Sequence, residues 1–250
     1  MGRKKAPPLG DAAALEKVLE RCRRLAFFGG AGVSTASGIP DFRSAEGLFR
    51  QDDQEMDPEM ILSKSFFYLH PAAFFDFYRK YMAYPQARPN GAHRWLYEME
   101  KRNLLGGIVT QNVDGLHKAA GNKRVYEIHG TVHENYCMDC QKFYPLEKIL
   151  SAKGVPRCDD CGGVIKPSVV LYGEAPDKYV CIGACREISN ADTLIVAGTS
   201  LSVEPAASFL QYFSGRSLVV INQEPTPADG KASLVIRGDV SAILGALTDK

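Results

Sequence analysis

The chain has 250 residues, 45% of them hydrophobic and 24% charged, with 30 Lys plus Arg against 29 Asp plus Glu. That hydrophobic share excludes general disorder, and the length suits one large domain, with or without a smaller inserted module, that needs no disulfide staples. A formal net charge of +1 removes any electrostatic case for direct nucleic-acid binding, and no run approaches the roughly 18 apolar residues of a membrane span.

Residues 1–8 (MGRKKAPP) read as a disordered tip. Ala12–Arg24 reads as a helix, with Leu15, Val18, Leu19 and Cys22 at helical spacing. Arg21-Cys22-Arg23-Arg24 ahead of Leu25–Val33 loosely mimics a secretory signal. It begins far into the chain and is broken by Gly29, Gly30 and Gly32, so the expected compartment is the cytoplasm. Leu25–Phe28 is a short apolar strand, and similar runs recur at Ile108–Thr110, Val169–Tyr172, Leu194–Ala197, Leu218–Asn222 and Leu234–Ile236. Helical stretches such as Ala92–Arg102 and Asp177–Asn190 separate several of them. Uninterrupted apolar strands alternating with helices predict a doubly wound, Rossmann-like α/β domain with a parallel sheet, built from residues 9–50, 89–131 and 166–250. Two stretches interrupt it. Residues 51–88 are rich in aromatics (Phe66, Phe67, Tyr68, Phe74, Phe75, Phe77, Tyr78, Tyr81 and Tyr84) and predict a helical insert burying an aromatic face, with a few rings free to wall a pocket. Residues 132–165 hold four of the seven cysteines, as the pairs Cys137/Cys140 and Cys158/Cys161 with 17 residues between them. Four thiolates at that spacing predict one closed, structural zinc. A redox Cys-x-x-Cys does not explain two pairs, and Asp139, Asp159 and Asp160 oppose a nucleic-acid ribbon. Cys181 and Cys185 share a helix face and read as buried thiols.

The segment Phe28-Gly29-Gly30-Ala31-Gly32-Val33-Ser34-Thr35-Ala36-Ser37-Gly38 reads as a strand entering a glycine turn and then a helix, where backbone N–H groups face a phosphate. It is not a P-loop, because no Gly-Lys-Ser/Thr follows, and Thr35 stands where a dinucleotide fingerprint has its third glycine. Gly38-Ile39-Pro40-Asp41-Phe42-Arg43 follows directly; Arg43 is suited to pairing with a phosphate and Phe42 to covering an aromatic ring. Gln111, Asn112 and Asp114 stand just past a strand end, where α/β sheets hold ligands, although such a cluster also serves as a turn and helix cap.

These blocks, with Thr110-Gln111-Asn112-Val113-Asp114-Gly115-Leu116-His117, His129-Gly130, both cysteine pairs, Tyr172-Gly173-Glu174, Gly198-Thr199-Ser200-Leu201 and Ile221-Asn222, resemble the sirtuins, NAD-dependent protein deacylases. The matches keep the family's order from about residue 25 to 240. The resemblance implies NAD as co-substrate, held by Gly30, Ala31, Gly32, Thr35, Asp41, Phe42, Arg43, Gln111, Asn112, Val113, Asp114, Gly198, Thr199, Ser200, Asn222, Gln223, Asp239 and Val240. Within that set, Asp114 and the Val113 backbone would hold the nicotinamide carboxamide. It implies His129 as general base and Asn112 as a second catalytic residue, acyl-lysine proteins or peptides as substrates held as an added strand by Val170, Tyr172, Gly173 and Val203, and Cys137, Cys140, Cys158 and Cys161 as zinc ligands. The implied reaction starts with attack of the acyl oxygen on the ribose carbon bearing nicotinamide. His129 then helps deprotonate a ribose hydroxyl, and the products are free lysine, nicotinamide and O-acyl-ADP-ribose. His70, His93, His117 and His133 are read as structural. Gly29 replaces a common Thr and Tyr172 a common Phe; Tyr78-x-x-Tyr81 replaces the Tyr-x-x-Arg of sirtuins that take acidic acyl groups, which implies neutral acyl groups unless Arg79 or Lys80 turns inward. A protein ADP-ribosyltransferase and a non-catalytic NAD-sensing zinc-ribbon adaptor are the competing expectations.

Overall fold

The computed structural model describes residues 9–41, 57–202, 204 and 206–248. Nine strands form among them: β1 (Leu25–Gly29), β2 (Leu105–Thr110), β3 (Val125–Glu127), β4 (Asn135–Cys137), β5 (Phe143–Tyr144), β6 (Ile165–Pro167), β7 (Thr193–Ala197), β8 (Ser217–Asn222) and β9 (Leu234–Arg237). The helices are α1 (Leu9–Leu19), α2 (Pro58–Ile61), α3 (Lys64–Leu69), α4 (Pro71–Tyr81), α5 (Gly91–Lys101), α6 (Leu116–Ala119), α7 (Leu146–Ser151), α8 (Lys178–Asn190) and α9 (Val240–Gly245).

Six strands make one parallel sheet in the order β3-β2-β1-β7-β8-β9. The apolar runs are continuous because both faces are covered. Leu25 and Phe27 of β1 enter one core with α1, α5 and α9, whereas Ala26 and Phe28 enter the other with α8. This is the doubly wound Rossmann order, and its strand order reverses between β1 and β7. The third core joins the aromatic insert to the cysteine-bearing segment. Phe66, Phe67, Phe74, Phe75 and Tyr78 pack with Cys137, Tyr144, Ile149, Cys158 and Ile165; the small antiparallel sheet β5-β4-β6 carries Cys137, Tyr144 and Ile165, and α7 carries Ile149.

Three expectations change. Val169–Tyr172 is extended but joins no ladder: its one bridge is Tyr172 to Ser63, with Tyr172 N–H donating to Leu62 O (2.9 Å) and Lys64 N–H to Tyr172 O (2.8 Å). The first helix starts earlier and stops at Leu19, because the chain tightens through Arg21 N–H to Val18 O (3.2 Å) and Cys22 N–H to Leu19 O (3.0 Å) to enter β1. The glycine turn leads not into an α-helix but into two short 3-10 turns, Ala31–Val33 and Thr35–Ser37, closed by Gly38 at φ +84°. A helix macrodipole therefore plays no part there.

His93 and His117 are buried, as structural histidines, with ring centroids 4.7 Å apart. Burial, with a smaller push from Arg94, drives the His93 imidazole down from 6.5 to about 4; burial likewise holds His117 well below its ordinary range. Both stay neutral when folded and take up a proton when unfolded. Stability is thus present above pH ~6.5 and is lost as pH falls toward the folded value, by about 3 kcal/mol for His93. His93→Gln keeps an acceptor for the Asn90 N–H and should flatten that acid slope in urea midpoints taken between pH 7 and 4. An unchanged slope would move the effect to other groups.

Candidate active site and zinc centre

The residues expected to hold the cofactor converge on the carboxyl ends of the parallel strands. Gly30 follows β1, Gln111–Asp114 follow β2, Gly198–Ser200 follow β7, Gln223 follows β8, whose last residue is Asn222, and Asp239 follows β9. The strand-order reversal between β1 and β7 sits in their midst, the position where open α/β sheets bind ligands. Glycine is required there by close approach. A Cβ on Gly30 would lie 2.7 Å from Thr199 Cβ, and one on Gly198, at φ +60°, would lie 2.5 Å from Val33 N. The Gly30 and Gly32 N–H groups donate to Ala197 O (3.1 Å) and Gly198 O (2.8 Å). These two glycines therefore bring the walls together through their own N–H groups.

One network dominates the floor. The Ser34 hydroxyl donates to Asp114 Oδ2 at 2.6 Å and accepts from Asn112 Nδ2 at 3.0 Å. Asp114 also accepts from Leu116 N–H (2.9 Å), which opens α6. Burial raises the Asp114 carboxyl, and the Ser34 and Leu116 bonds pull it back down. Ala31, Ser34, Pro40, Tyr81, Asn112 and Asp114 line a cavity of about 30 Å³ above this network. Nothing local in the sequence marks Ser34, because after a glycine turn serine looks like an ordinary turn residue. Gln111 Nε2 donates to Thr199 Oγ1 (2.9 Å), joining two expected site residues across β1.

His129 is half-buried, with Nδ1 3.1 Å from the Gln111 carbonyl. A carbonyl only accepts, so Nδ1 carries the proton and Nε2 keeps its lone pair. Burial lowers the His129 pKa, and the Gln111 carbonyl partly offsets this. Gly130, at φ +74°, has no room for a side chain, since a Cβ would fall 1.8 Å from Ser168 O. That contact sets His129 beside the extended segment through Val170 N–H to His129 O (3.0 Å).

The remaining expected residues divide. Ala31, Thr35 and Asp41 are half-buried at the mouth, and Val113 lines the small cavity. Ser200 Oγ lies 2.6 Å from Ser202 Oγ, Asn222 Nδ2 donates to Glu224 O (2.8 Å), and Gln223 is exposed. Asp239 caps α9 by accepting from Ala242 N–H (2.8 Å), and Val240 is buried in the core, so their side chains serve the fold first. Val170 is half-buried, whereas Tyr172 and Gly173 are exposed, with Gly173 at φ +86°. Lys166 Nζ bonds Val169 O (3.2 Å) and Glu174 Oε2 (3.0 Å), and Glu174 accepts from Leu171 N–H (3.0 Å), bracing this segment. Phe42, Arg43 and Val203 lie outside the described residues.

The sulfurs of Cys137, Cys140, Cys158 and Cys161 all lie within 4.8 Å of one another. Neighbouring pairs stand at 3.3 Å (Cys137 to Cys161) and 3.6 Å (Cys140 to Cys158). Zn–S bonds near 2.3 Å in a tetrahedron require sulfurs about 3.8 Å apart, so the donor set and its spacing fit one zinc. The Tyr144 hydroxyl donates to Cys158 Sγ (3.1 Å), an outer hydrogen bond of the kind that orients a thiolate ligand. Cys181 and Cys185 are half-buried on α8 and stand outside this cluster.

Comparison with known proteins agrees with this architecture. The Sir2 family profile matches residues 30–205. The NAD-dependent protein deacetylase of Clostridium perfringens is 51% identical over 237 residues, covering 94% of this chain and 97% of its own. A Sir2 structure with a p53 peptide and NAD+ superimposes with TM-score 0.83 at 37% identity, covering 94% of this chain and 96% of that one. A Sir2 complex with a propionylated peptide superimposes with TM-score 0.82 at 36% identity, covering 95% and 97%. With the doubly wound sheet, the four-cysteine centre and the profile match in hand, the chain is a member of the Sir2, or sirtuin, family.

Proposed function

We propose that this chain is an NAD-dependent protein-lysine deacetylase that converts acetyl-lysine, NAD and water to lysine, nicotinamide and O-acetyl-ADP-ribose. The observation that carries the reading is His129, its Nδ1 held by the Gln111 carbonyl, next to the Ser34–Asn112–Asp114 network. NAD supplies a ribose carbon activated by its nicotinamide and a neighbouring hydroxyl that accepts the acyl group. Asp114 and the Val113 backbone hold the carboxamide, and Ser34 and Asn112 keep Asp114 in place. Gln111 and Asn112 face the nicotinamide ribose, and Thr199, bonded to Gln111, stands toward the phosphates. Gly198, Ser200, Asn222, Gln223 and the Asp239–Val240 backbone border the phosphate and adenosine end, and Phe42 and Arg43 are assigned there from sequence alone. His129 Nε2 accepts the hydroxyl proton. Val170, Tyr172, Gly173 and Val203 receive the peptide as an added strand, which gives affinity with little sequence preference. The zinc is structural, because four thiolates leave no open coordination position. No helix among the described residues is long and apolar enough to cross a membrane, and the thiolate centre suits the reducing cytoplasm, which we propose as the compartment. We likewise propose residues 51–88 and 132–165 as inserts into the NAD-binding domain.

Incubation with NAD and acetyl-lysine peptide, followed by mass spectrometry, tests the reading. O-acetyl-ADP-ribose is the expected product. Protein-bound ADP-ribose in its place would indicate an ADP-ribosyltransferase, and absence of nicotinamide release would indicate an NAD-binding adaptor.

The acyl pocket is expected to prefer neutral groups. The Arg79 guanidinium faces Ile149 O (3.0 Å), Asp76 (3.3 Å) and Gly154 O, on the cysteine-bearing side, and Lys80 Nζ sits 4.7 Å from the Tyr81 ring centroid. A buried carboxylate without its partner costs roughly 3–5 kcal/mol, more than two decades in rate at about 1.36 kcal/mol per decade. Acetyl peptide should therefore exceed succinyl peptide in kcat/KM by at least about a hundredfold, with Tyr81→Arg narrowing the gap. Equal values in the unmodified protein would mean that Arg79 or another cation reaches the pocket.

A further inference from the structure

Asn90 caps α5, yet it does more than a cap requires. Its Oδ1 accepts from Ala92 N–H at 3.0 Å, and its own N–H donates to His93 Nδ1 at 3.3 Å. Serine, aspartate or asparagine would all satisfy that end of the helix. Of these, only the side-chain amide offers two donors beside its acceptor oxygen, and both contacts made by this amide reach the turn after β1. Asn90 Nδ2 donates to Val33 O at 2.8 Å and to Ser37 Oγ at 3.0 Å, across more than 50 residues of sequence. These two contacts bracket Ser34, the residue whose hydroxyl joins Asn112 to Asp114. The next residue extends the junction. Gly91 N–H donates to Ser241 Oγ (3.1 Å) on α9, and a Cβ on Gly91 would lie 2.7 Å from Ser241 O. The start of α5 is thus fastened to the turn on one side and to α9 on the other. Asn90 itself is buried, so water cannot readily replace the Val33 and Ser37 contacts.

We propose that Asn90 is a positioning residue for NAD: its amide holds the 31–38 turn, and through it Ser34, in the binding arrangement before NAD arrives. Preorganisation of this kind lowers the ordering cost of binding. Asn90 touches neither the nicotinamide cavity nor the peptide segment, so its influence should fall on NAD and leave the peptide alone.

This rests on the deacetylase reading, and the experiment separates the two. Asn90→Ser retains the helix-cap acceptor and removes the amide donors. Kd for NAD by calorimetry and KM for NAD should both rise about tenfold, the scale of losing one or two buried hydrogen bonds. KM for peptide and turnover at saturating NAD should stay within about twofold. In the NAD-free protein, the 31–38 amides should exchange faster with solvent than in the unmodified chain. Ser37→Ala removes one contact and leaves the cap intact, so it reads the same effect, at about threefold in Kd, should Asn90→Ser fold poorly. Unchanged NAD affinity and unchanged 31–38 exchange in these variants would overturn the proposal and reduce Asn90 to a cap. Failure of the unmodified protein to bind NAD would instead overturn the deacetylase reading beneath it.

Discussion

Replacing His129 with alanine should lower deacetylation by about a hundredfold to ten-thousandfold, the usual contribution of a positioned general base, while leaving NAD affinity within a few-fold. The separation follows from the geometry. The Ser34–Asn112–Asp114 network and the Gln111–Thr199 bond form without the imidazole. His129 adds a lone pair on Nε2, because the Gln111 carbonyl fixes the proton on Nδ1. Burial sets its pKa below the ordinary 6.5, with the Gln111 carbonyl opposing, so the ring is neutral and able to accept a proton at pH 7. The unprotonated form is the active one, and activity should therefore fall on the acid side as pH drops through a value below 6.5. His129→Ala should remove that limb from whatever residual rate survives. Full activity in the variant, or an acid limb identical to that of the unmodified enzyme, would assign the base elsewhere.

The parallel sheet was legible because its strands are buried on both faces, so Leu25–Phe28, Leu194–Ala197 and Leu218–Asn222 appear as unbroken apolar runs. The zinc centre was legible because ligand spacing in sequence reflects the tight loops that bring thiolates together. Val169–Tyr172 misled for a physical reason. Val169 and Leu171 do face the core, but Lys166 takes the Val169 carbonyl and Glu174 the Leu171 N–H, two backbone groups that a ladder would have used. The turn after β1 misled similarly. Ser34 is held by Asp114, eighty residues away, and Ser37 by Asn90, contacts no local propensity contains. Strands β4, β5 and β6 are two or three residues long, too short for periodicity to register. The base and the substrate segment came from the family resemblance. A lone histidine before glycine has no spacing signal, and its meaning depends on the Gln111 carbonyl and on Gly130 lying against Ser168.

Zinc removal should have the largest effect on stability. Cys137 and Cys158 are buried in the same core as Phe67, Phe74, Phe75, Ile149 and Ile165, and the sheet β5-β4-β6 carrying part of that core is very small. A structural zinc contributes an apparent 10–16 kcal/mol in small metal domains at neutral pH, roughly the whole stability of an ordinary domain at 5–15 kcal/mol. So small a sheet cannot replace that contribution by packing. Cys140→Ala, which removes an exposed ligand without opening a core cavity, should release the metal, lower the melting temperature and expose the aromatic insert. The consequence should reach substrate binding, because Val169 and Leu171 flank Val170 in the same core. The two cores that clasp the large sheet contain no cysteine of this centre. NAD binding should therefore outlast peptide binding as chelator is added, and resupplied zinc should restore both. One equivalent of tightly held zinc is the expected metal content of the unmodified protein. Folded, active protein containing none, or a Cys140→Ala variant of unchanged melting temperature and peptide KM, would show that the four thiols hold this region together without a metal.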